Sequence, residues 1–190
     1  MFNLERLDPT VDSRGIFLKL MDDGTYPKNY ENLDKGFKPI QTFISVSKKN
    51  TIRGMHFYKS SSVIHNTDLV SVTEVSSKIN KICKSFVVLS GELFFAAIDL
   101  RVGSESYREV KSLRINAYCQ VSIPRMVASG FQVTSNEATV LYFLDTVHKP
   151  EEDITINPRF CNIKWPLPIG EISDRDFNAI SLDEYCRSFT

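Results

Sequence analysis

Short runs of β-branched and aromatic residues, separated by turn residues, fill the middle of the chain and limit its fold more than any other feature. Residues 85–100, SFVVLSGELFFAAIDL, contain two apolar runs joined at Ser90 and Gly91, which predicts a hairpin. Many short strands with turns between them indicate an all-β sandwich or closed barrel such as a jelly roll. The other strand-like runs are 14–20, 41–47, 50–57, 119–124, 129–135 and 138–145.

Two segments depart from this strand pattern. Residues 58–81 are polar and rich in serine, which indicates a long insertion of the kind that often borders a site on a rigid scaffold. Near the C-terminus, Ser173-x-x-Asp176 and Ser181-x-x-Glu184 match N-capping patterns. We therefore expect short helices or turns there.

Composition and charge exclude several classes of partner. Lys plus Arg and Asp plus Glu number 23 each, so there is no broad electrostatic attraction to nucleic acid or to an anionic membrane. No stretch approaches the roughly 18 apolar residues that span a bilayer. The first residues, MFNLERLDPT, lack a signal-peptide apolar run, and four cysteines without a C-x-x-C pair favour reduced thiols. We expect one cytoplasmic domain over residues 1–190, with neither nucleic acid nor membrane as a partner.

Several motifs occur along the chain in a characteristic order. They are RGIF, QTFISVSKKNTIRGMHF, SGELFFAAIDLRVGSESY, IPRMVASGFQV, VLYFLDTVHKPEED, IKWPLP and SDRD. With these motifs the chain resembles the dTDP-4-dehydrorhamnose 3,5-epimerase family over roughly residues 10–180, apart from the insertion. The resemblance implies a cofactor-free, cupin-type jelly roll that acts on nucleotide-linked 4-keto sugars. It also implies a homodimer in which N-terminal strands reach across to the partner.

The chemistry of that family requires three kinds of group around the sugar. A hydrogen next to a ketone is weakly acidic because its loss gives an enolate. Epimerisation therefore needs a base on one face, an acid on the other and a positive group near the ketone oxygen. The resemblance implies that His56 is the base and that Asp176 orients it. It further implies that Lys84 stabilises the enolate and that Tyr142 donates the returning proton.

The resemblance also implies a set of substrate-binding residues. Arg14 and Arg53 match arginines that hold the diphosphate or the sugar, a task that suits the planar and permanently charged guanidinium. Arg14 is expected to serve the site of the partner subunit; otherwise it is a solvated strand end. Gln41 matches a glutamine in the strand before the base. The remaining predicted contact residues are Phe17, Lys19, Ser129 and His148.

Three of these positions depart from the usual pattern of the family. Ser129 stands where the family usually has a histidine, and His148 stands where a tyrosine stacks near the nucleotide base. Lys19 stands where a glutamate reaches that base. The changes at Lys19 and His148 lead us to expect a nucleotide other than thymidine. The change at Ser129 leaves open whether C3, C5 or both are inverted.

Each catalytic assignment has a plain structural alternative. His56 can be a satisfied strand histidine, Asp176 the capping carboxylate of a short turn, and Tyr142 an ordinary core residue. Lys81 competes with Lys84, because the insertion ahead of Lys84 makes the register uncertain and Lys81 is close.

The histidine spacing argues against a metal site. Metal-binding cupins usually offer two histidines one residue apart, followed by a carboxylate and another histidine. Here two aromatic residues follow His56 directly, and His65 lies further on across a polar loop. We therefore expect neither a metal nor a redox cofactor.

The sequence thus predicts an isomerase that inverts C3, C5 or both in a nucleotide-linked 4-keto, deoxy sugar. One alternative is an isomerase of the same fold that moves the keto group between C3 and C4, since it shares the deprotonation step. The other is a non-catalytic sugar-nucleotide-binding cupin, which the serine at position 129 makes plausible.

Overall fold

Strands make up most of the protein in the computed structural model, which describes residues 1–20, 37–59 and 82–188. The strands are β1 (Asn3–Arg6), β2 (Thr10–Asp12), β3 (Gly15–Phe17), β4 (Gln41–Lys48), β5 (Ile52–Tyr58), β6 (Ile82–Ser90), β7 (Glu92–Asp99), β8 (Val110–Asn116), β9 (Cys119–Pro124), β10 (Val127–Val133), β11 (Glu137–Leu144) and β12 (Asp153–Thr155). A 3-10 turn (Pro158–Phe160) and two short helices, α1 (Asp174–Phe177) and α2 (Leu182–Arg187), follow them. The predicted all-β class with short C-terminal helices is confirmed, although β1, β2, β8 and β12 lie outside the predicted runs.

Ten of these strands form two five-stranded sheets. The strand order is β1-β9-β6-β11-β4 in the first sheet and β12-β5-β10-β7-β8 in the second. Neighbouring strands within each sheet run antiparallel. β2 and β3 pair only with each other among the described strands, in a small hairpin whose residues are all exposed.

Apolar side chains from both sheets fill the space between them. Phe86 and Val140 of the first sheet pack in one buried cluster with Leu93 and Phe95 of the second. The rings of Phe86 and Phe95 have centroids 5.6 Å apart. Removing this apolar surface from water holds the two sheets face to face as a sandwich.

The C-terminal segment covers the outer face of the second sheet. Met55 and Phe57 of β5 pack there with Leu182 and Tyr185 of α2. Successive side chains of a strand point to opposite faces. Burying Met55 and Phe57 on the outer face therefore turns His56 towards the space between the sheets.

The predicted hairpin at Ser90 and Gly91 is wrong. β6 pairs with β9 and β11 in the first sheet, whereas β7 pairs with β8 and β10 in the second. The chain thus crosses from one sheet to the other at Gly91, where φ is +85° and a Cβ would overlap the carbonyl oxygen of Glu137. The residue pattern marks the turn correctly, but the pairing of the flanking strands depends on residues far away in the sequence.

Both predicted N-caps near the C-terminus are confirmed. The backbone N–H of Asp176 donates to Ser173 Oγ at 3.2 Å, which begins α1. The Glu184 N–H donates to Ser181 Oγ, and the Glu184 carboxylate accepts from the Ser181 N–H, so a full capping box begins α2. The first cap fixes where the Asp176 side chain leaves the helix.

Most of the insertion predicted at 58–81, including His65 and Lys81, lies outside the described residues. No helix in the described ranges is long and apolar enough to cross a bilayer. The four cysteines are buried and none forms a disulfide.

Candidate active site

A cleft of about 850 Å³ lies between the two sheets. β4, β6 and β11 of the first sheet form one wall. β5 and the segment that leads into α1 form the other. Most of the predicted site residues line this cleft, namely Gln41, Arg53, His56, Lys84, Tyr142, His148 and Asp176.

The side chains of His56 and Asp176 are joined in the wall of the cleft. His56 Nε2 lies 2.7 Å from Asp176 Oδ1, and the backbone N–H of Gly54 donates to Asp176 Oδ2 at 3.3 Å. Burial alone raises the pKa of Asp176, but hydrogen bonds from His56, Gly54 and Ser173 outweigh it and hold the pKa below its usual range. The carboxylate therefore accepts the proton of Nε2–H, which leaves His56 Nδ1 as the basic nitrogen.

An irregularity in β5 brings Arg53 and His56 into the same cleft. Residues three apart on a regular strand face opposite sides of the sheet. Here Ser129 pairs with His56 and Phe131 pairs with Arg53, so β5 takes three steps where β10 takes two. The extra residue is a bulge, which re-aims side chains and is common next to active sites.

Gly54 makes this bulge possible. Its φ is +128°, and a Cβ at this position would lie 2.5 Å from the Cα of Gly130 and 2.8 Å from the carbonyl oxygen of Ser129. Both atoms belong to the neighbouring backbone, which cannot move aside. The glycine in the RG-x-HF motif is thus required by the close approach of β5 and β10.

Lys84 and Tyr142 face the cleft from neighbouring strands of the first sheet. Lys84 pairs with Leu144, and Phe86 pairs with Tyr142. Residues two apart on a strand share a face, so the side chains of Lys84 and Tyr142 lie on the same face of the sheet. Lys84 Nζ donates to the carbonyl oxygen of His56 at 3.4 Å, and burial lowers the pKa of the lysine.

The hydroxyl of Tyr142 is buried and protonated at neutral pH. Burial raises its pKa to about 12, although a hydrogen bond with Ser45 and the charge of Arg53 act in the opposite direction. The two hydroxyl oxygens of Tyr142 and Ser45 are 3.3 Å apart. The ring of Phe43 stacks on the tyrosine with centroids 4.7 Å apart. Contacts with Ser45 and Phe43 thus fix both the hydroxyl and the ring of Tyr142.

Gln41 and His148 meet at another part of the cleft. The backbone N–H of His148 donates to Gln41 Oε1 at 2.6 Å, and the Tyr58 hydroxyl lies 3.2 Å from His148 Nδ1. Burial raises the pKa of Tyr58, so its hydroxyl keeps its proton. His148 Nδ1 also lies 3.7 Å from Asp153 Oδ2, so this imidazole is held between the phenol and the carboxylate.

Three predicted contact residues lie away from the cleft of their own chain. Arg14 exposes 88% of its side chain and pairs with Asp12 at 2.5 Å. Phe17, at the end of β3, is 68% exposed. Lys19, just beyond, is also exposed. Within one chain the structure therefore does not bring Arg14, Phe17 and Lys19 to the other site residues.

Ser129 lies beneath the cleft, in contact with the strand that carries His56. Its hydroxyl donates to the carbonyl oxygen of His56 at 3.5 Å. Ser129 lines a second cavity of about 40 Å³, and Arg53, His56, Lys84 and Tyr142 line both this cavity and the cleft.

The cleft also contains residues that the sequence did not single out. Arg175 donates to Asp153 Oδ2 at 3.0 Å and to the Asp153 carbonyl oxygen at 2.6 Å. Arg175 stands in the SDRD motif and Asp153 ends the VLYFLDTVHKPEED motif. Both could therefore have been named as candidate site residues from the sequence. Phe43 and Ser45 follow Gln41 at every second residue of β4, and the strand period places them on one face.

Within residues 1–20, 37–59 and 82–188, no three or more His, Cys, Asp or Glu side chains are placed to hold a metal ion. His65, which the metal argument considered, lies outside these ranges.

Comparison with known proteins identifies the family. The family model for dTDP-4-dehydrorhamnose 3,5-epimerase matches residues 4–184. The dTDP-4-dehydrorhamnose 3,5-epimerase of Methanothermobacter thermautotrophicus is 28% identical over 187 residues, which cover 94% of this chain and 89% of that protein. The dTDP-4-dehydrorhamnose 3-epimerase of Streptomyces niveus is 26% identical over 178 residues, which cover 92% and 76%.

A solved structure agrees in fold. It is dTDP-6-deoxy-D-glucose-3,5-epimerase from Legionella pneumophila Philadelphia 1 in complex with dTDP-4-keto-L-rhamnose. It superimposes with a TM-score of 0.75 at 26% identity and covers 96% of this chain and 88% of its own. The predicted jelly-roll sandwich is confirmed. With the family model matched over nearly the whole chain, this protein belongs to the dTDP-4-dehydrorhamnose 3,5-epimerase family.

Proposed function

We propose that the protein is an isomerase that epimerises a nucleotide-linked 4-keto, deoxy sugar at C3, C5 or both. The observation that carries this proposal is the 2.7 Å hydrogen bond between His56 Nε2 and Asp176 Oδ1 in the wall of the cleft. The second sheet carries His56, and the first sheet carries Tyr142 and Lys84. A sugar ring between the sheets therefore meets a base on one face and an acid on the other.

In the first step His56 Nδ1 takes the hydrogen of the carbon next to the ketone as a proton. The electrons of the broken C–H bond move into the ring and give an enolate. The Lys84 ammonium stabilises the negative oxygen, because opposite charges attract. The Asp176 carboxylate stabilises the imidazolium that forms and keeps the ring oriented.

In the second step the Tyr142 hydroxyl returns a proton to the same carbon from the opposite face. The high pKa of the buried phenol keeps this proton in place at neutral pH until the enolate accepts it. The configuration of the carbon is then inverted, and the ketone is restored. The tyrosinate and the imidazolium exchange protons with solvent before the next turnover.

Arg53 and Arg175 are the proposed partners of the negatively charged diphosphate. Both line the cleft, and each guanidinium is fixed by one neighbour: Arg53 Nε donates to Ser47 Oγ at 2.7 Å, and Arg175 pairs with Asp153. Fixed guanidinium groups suit phosphate oxygens because their donors are already aligned. The ligand in the Legionella pneumophila complex, dTDP-4-keto-L-rhamnose, supports this class of substrate.

Proton and carbon NMR in deuterated water with a nucleotide-linked 4-keto-6-deoxy sugar test the proposal. We expect deuterium at C3 or C5, together with inversion at the labelled carbon and a ketone that stays at C4. A ketoisomerase moves the carbonyl carbon signal to C3, and a non-catalytic binder leaves the sugar unlabelled. Either result overturns the proposal.

We also propose a homodimer in which the β2–β3 hairpin docks on the partner. β4 is the last strand of the first sheet and exposes apolar side chains, and the hairpin exposes others. Such edges favour pairing with another chain. The apolar residues are Val11, Ile16 and Phe17 on the hairpin and Phe43, Ile44 and Val46 on β4.

This docking places Arg14, Phe17 and Lys19 at the cleft of the partner, which accounts for their distance from the cleft of their own chain. Sedimentation at micromolar concentration tests it. A dimer is expected, and deletion of the β2–β3 hairpin, residues 10–17, should give monomers without substrate binding. A clean monomer of the full chain contradicts both the dimer and the shared site.

We place the enzyme in the cytoplasm. All four cysteines are buried and none forms a disulfide, which suits a reducing compartment.

A further inference from the structure

A small cavity of about 40 Å³ adjoins the reacting centre from below. Arg53, His56, Lys84 and Tyr142 line both this inner cavity and the large cleft. The other walls of the inner cavity are Phe86, Phe95, Ser129, Gly130 and Phe131.

Ser129, a small residue of β10, lines the inner cavity. Ser129 is buried and pairs with His56 across the strands, so its side chain is close to the strand of the base. At about 40 Å³ the inner cavity is far smaller than the cleft, so it suits a small substituent such as a hydroxyl or a methyl and excludes a sugar ring.

Epimerisation makes a demand on space that proton removal does not. Before the reaction the hydrogen of the reacting carbon points to His56 and the substituent points away. After Tyr142 returns a proton on the other face, the substituent lies on the His56 side. Proton exchange therefore needs no extra room, whereas inversion needs room for one group beside His56.

We propose that the inner cavity receives the hydroxyl or methyl substituent of the carbon that inverts, and that Ser129 controls this space. The inference rests on the epimerase function proposed above. A methyl substituent contacts the phenyl rings of Phe86, Phe95 and Phe131. A hydroxyl substituent accepts hydrogen bonds from Ser129 and Lys84. The positive charges of Lys84 and Arg53 disfavour an ammonium group there. Ser129 is thus a specificity-determining residue that couples inversion to proton exchange.

Two substitutions of Ser129 test separately the volume of the inner cavity and the hydrogen bonding of the Ser129 hydroxyl. Ser129→Thr keeps the hydroxyl and adds a methyl group in the inner cavity, and a β-branched residue suits a strand. Ser129→Ala removes the hydroxyl and keeps the space. The measured quantity is the ratio of the inversion rate to the deuterium incorporation rate, obtained by proton NMR in deuterated water.

We expect the ratio for Ser129→Thr to fall by roughly 10-fold or more, which is what one extra methyl group costs in a tight pocket. Deuterium incorporation by this variant should continue, because His56 still reaches the hydrogen. Ser129→Ala should keep the wild-type ratio even if both of its rates decrease. Thermal melting checks that each variant is folded, and Ser129→Cys, which adds less volume, replaces an unfolded threonine variant.

Three results overturn the inference. They are an unchanged ratio in Ser129→Thr, an equal loss of incorporation and inversion in that variant, and a fall of the ratio in Ser129→Ala. A wild-type protein that incorporates no deuterium contradicts the epimerase function itself, and so the two failures are distinguishable.

Discussion

The Nε2 atom of His56 lies 2.7 Å from the Oδ1 atom of Asp176, although the two residues are 120 positions apart in the sequence. β5 carries the histidine, and the first turn of α1 carries the aspartate. Asp176 exposes 4% of its side chain, whereas His56 exposes 29%. The carboxylate is thus shielded from water, and the imidazole is the member of the pair that can meet a substrate.

The first prediction concerns this pair. His56→Asn keeps part of the hydrogen bonding to Asp176 but has no basic nitrogen, so deuterium exchange and epimerisation should both fall by roughly 10²- to 10⁴-fold. Asp176→Asn should give a smaller loss of both rates, because a misoriented imidazole is a poorer base. Proton NMR in deuterated water measures both rates. If the His56→Asn protein is still active, His56 is not the base.

The second prediction concerns Lys84, whose pKa is lowered by burial. Burial of this amine disfavours its charged form, and this costs stability wherever the unfolded chain carries the proton. We expect Lys84→Met to abolish epimerisation and yet to raise the melting temperature, by about 2–4 °C for each kcal/mol of burial cost removed. The control is Lys48→Met at an exposed position of β4, where no such rise is expected.

The same lysine gives this stability difference a pH dependence. Above neutral pH the folded wild type releases the Lys84 proton before the unfolded chain does, because the folded pKa is the lower one. The free energy of unfolding of the wild type therefore rises relative to that of Lys84→Met as the pH approaches the pKa of an unfolded lysine, about 10.4. Melting curves between pH 7 and 10 measure this gap. A constant difference in stability between the two proteins contradicts a lowered pKa of Lys84 in the folded state.

The sequence predicted the components of the site better than their arrangement. The ordered motifs identified the family, which the family model confirms over residues 4–184. The roles of His56, Lys84, Tyr142 and Asp176 stay predictions. Capping patterns are local, so both C-terminal helices could be predicted from a few neighbouring residues.

Long-range pairing could not be predicted in the same way. The runs on either side of Gly91 look like a hairpin, yet β6 and β7 belong to different sheets. Strict alternation along β5 would place Arg53 and His56 on opposite faces, and only the register with β10 reveals the bulge that brings them together. Both features depend on which strands become neighbours, and local propensity does not encode this.

The third prediction concerns the glycine in that bulge. Gly54→Ala combines an unfavourable φ of +128° with a collision between its Cβ and the backbone of Gly130. Gly103→Ala is the matched control, since its φ is +87° and nothing lies within 4 Å of the added Cβ. Backbone strain alone costs about 1–3 kcal/mol. Chemical denaturation should therefore show a larger loss for Gly54→Ala, accompanied by loss of deuterium exchange. If the two variants lose equal stability, the close approach of β5 and β10 does not require glycine at position 54.

The fourth prediction concerns the nucleotide. His148 lines the cleft, and its imidazole is smaller and more polar than the tyrosine ring that the family resemblance implies at this position. We expect thymidine diphosphate not to be the tightest binder among the thymidine, cytidine, guanosine and uridine diphosphates. His148→Tyr should shift the preference towards thymidine. Titration calorimetry measures the four affinities, and tightest binding of thymidine diphosphate by the wild type contradicts the prediction.

The last prediction separates the two faces of the sugar. Tyr142→Phe removes the hydroxyl that Ser45 contacts but keeps the ring that stacks on Phe43. His56 is intact in this variant, so the enolate still forms, and the imidazolium can return a deuteron to the face that lost the proton. Deuterium should therefore enter with retained configuration, while net inversion falls by roughly 10²-fold or more. The control is Tyr118→Phe, a tyrosine outside the cleft lining, which should leave both rates unchanged. Normal inversion by the Tyr142→Phe protein shows that another group protonates the second face, and Tyr142 is then a core residue without a part in the reaction.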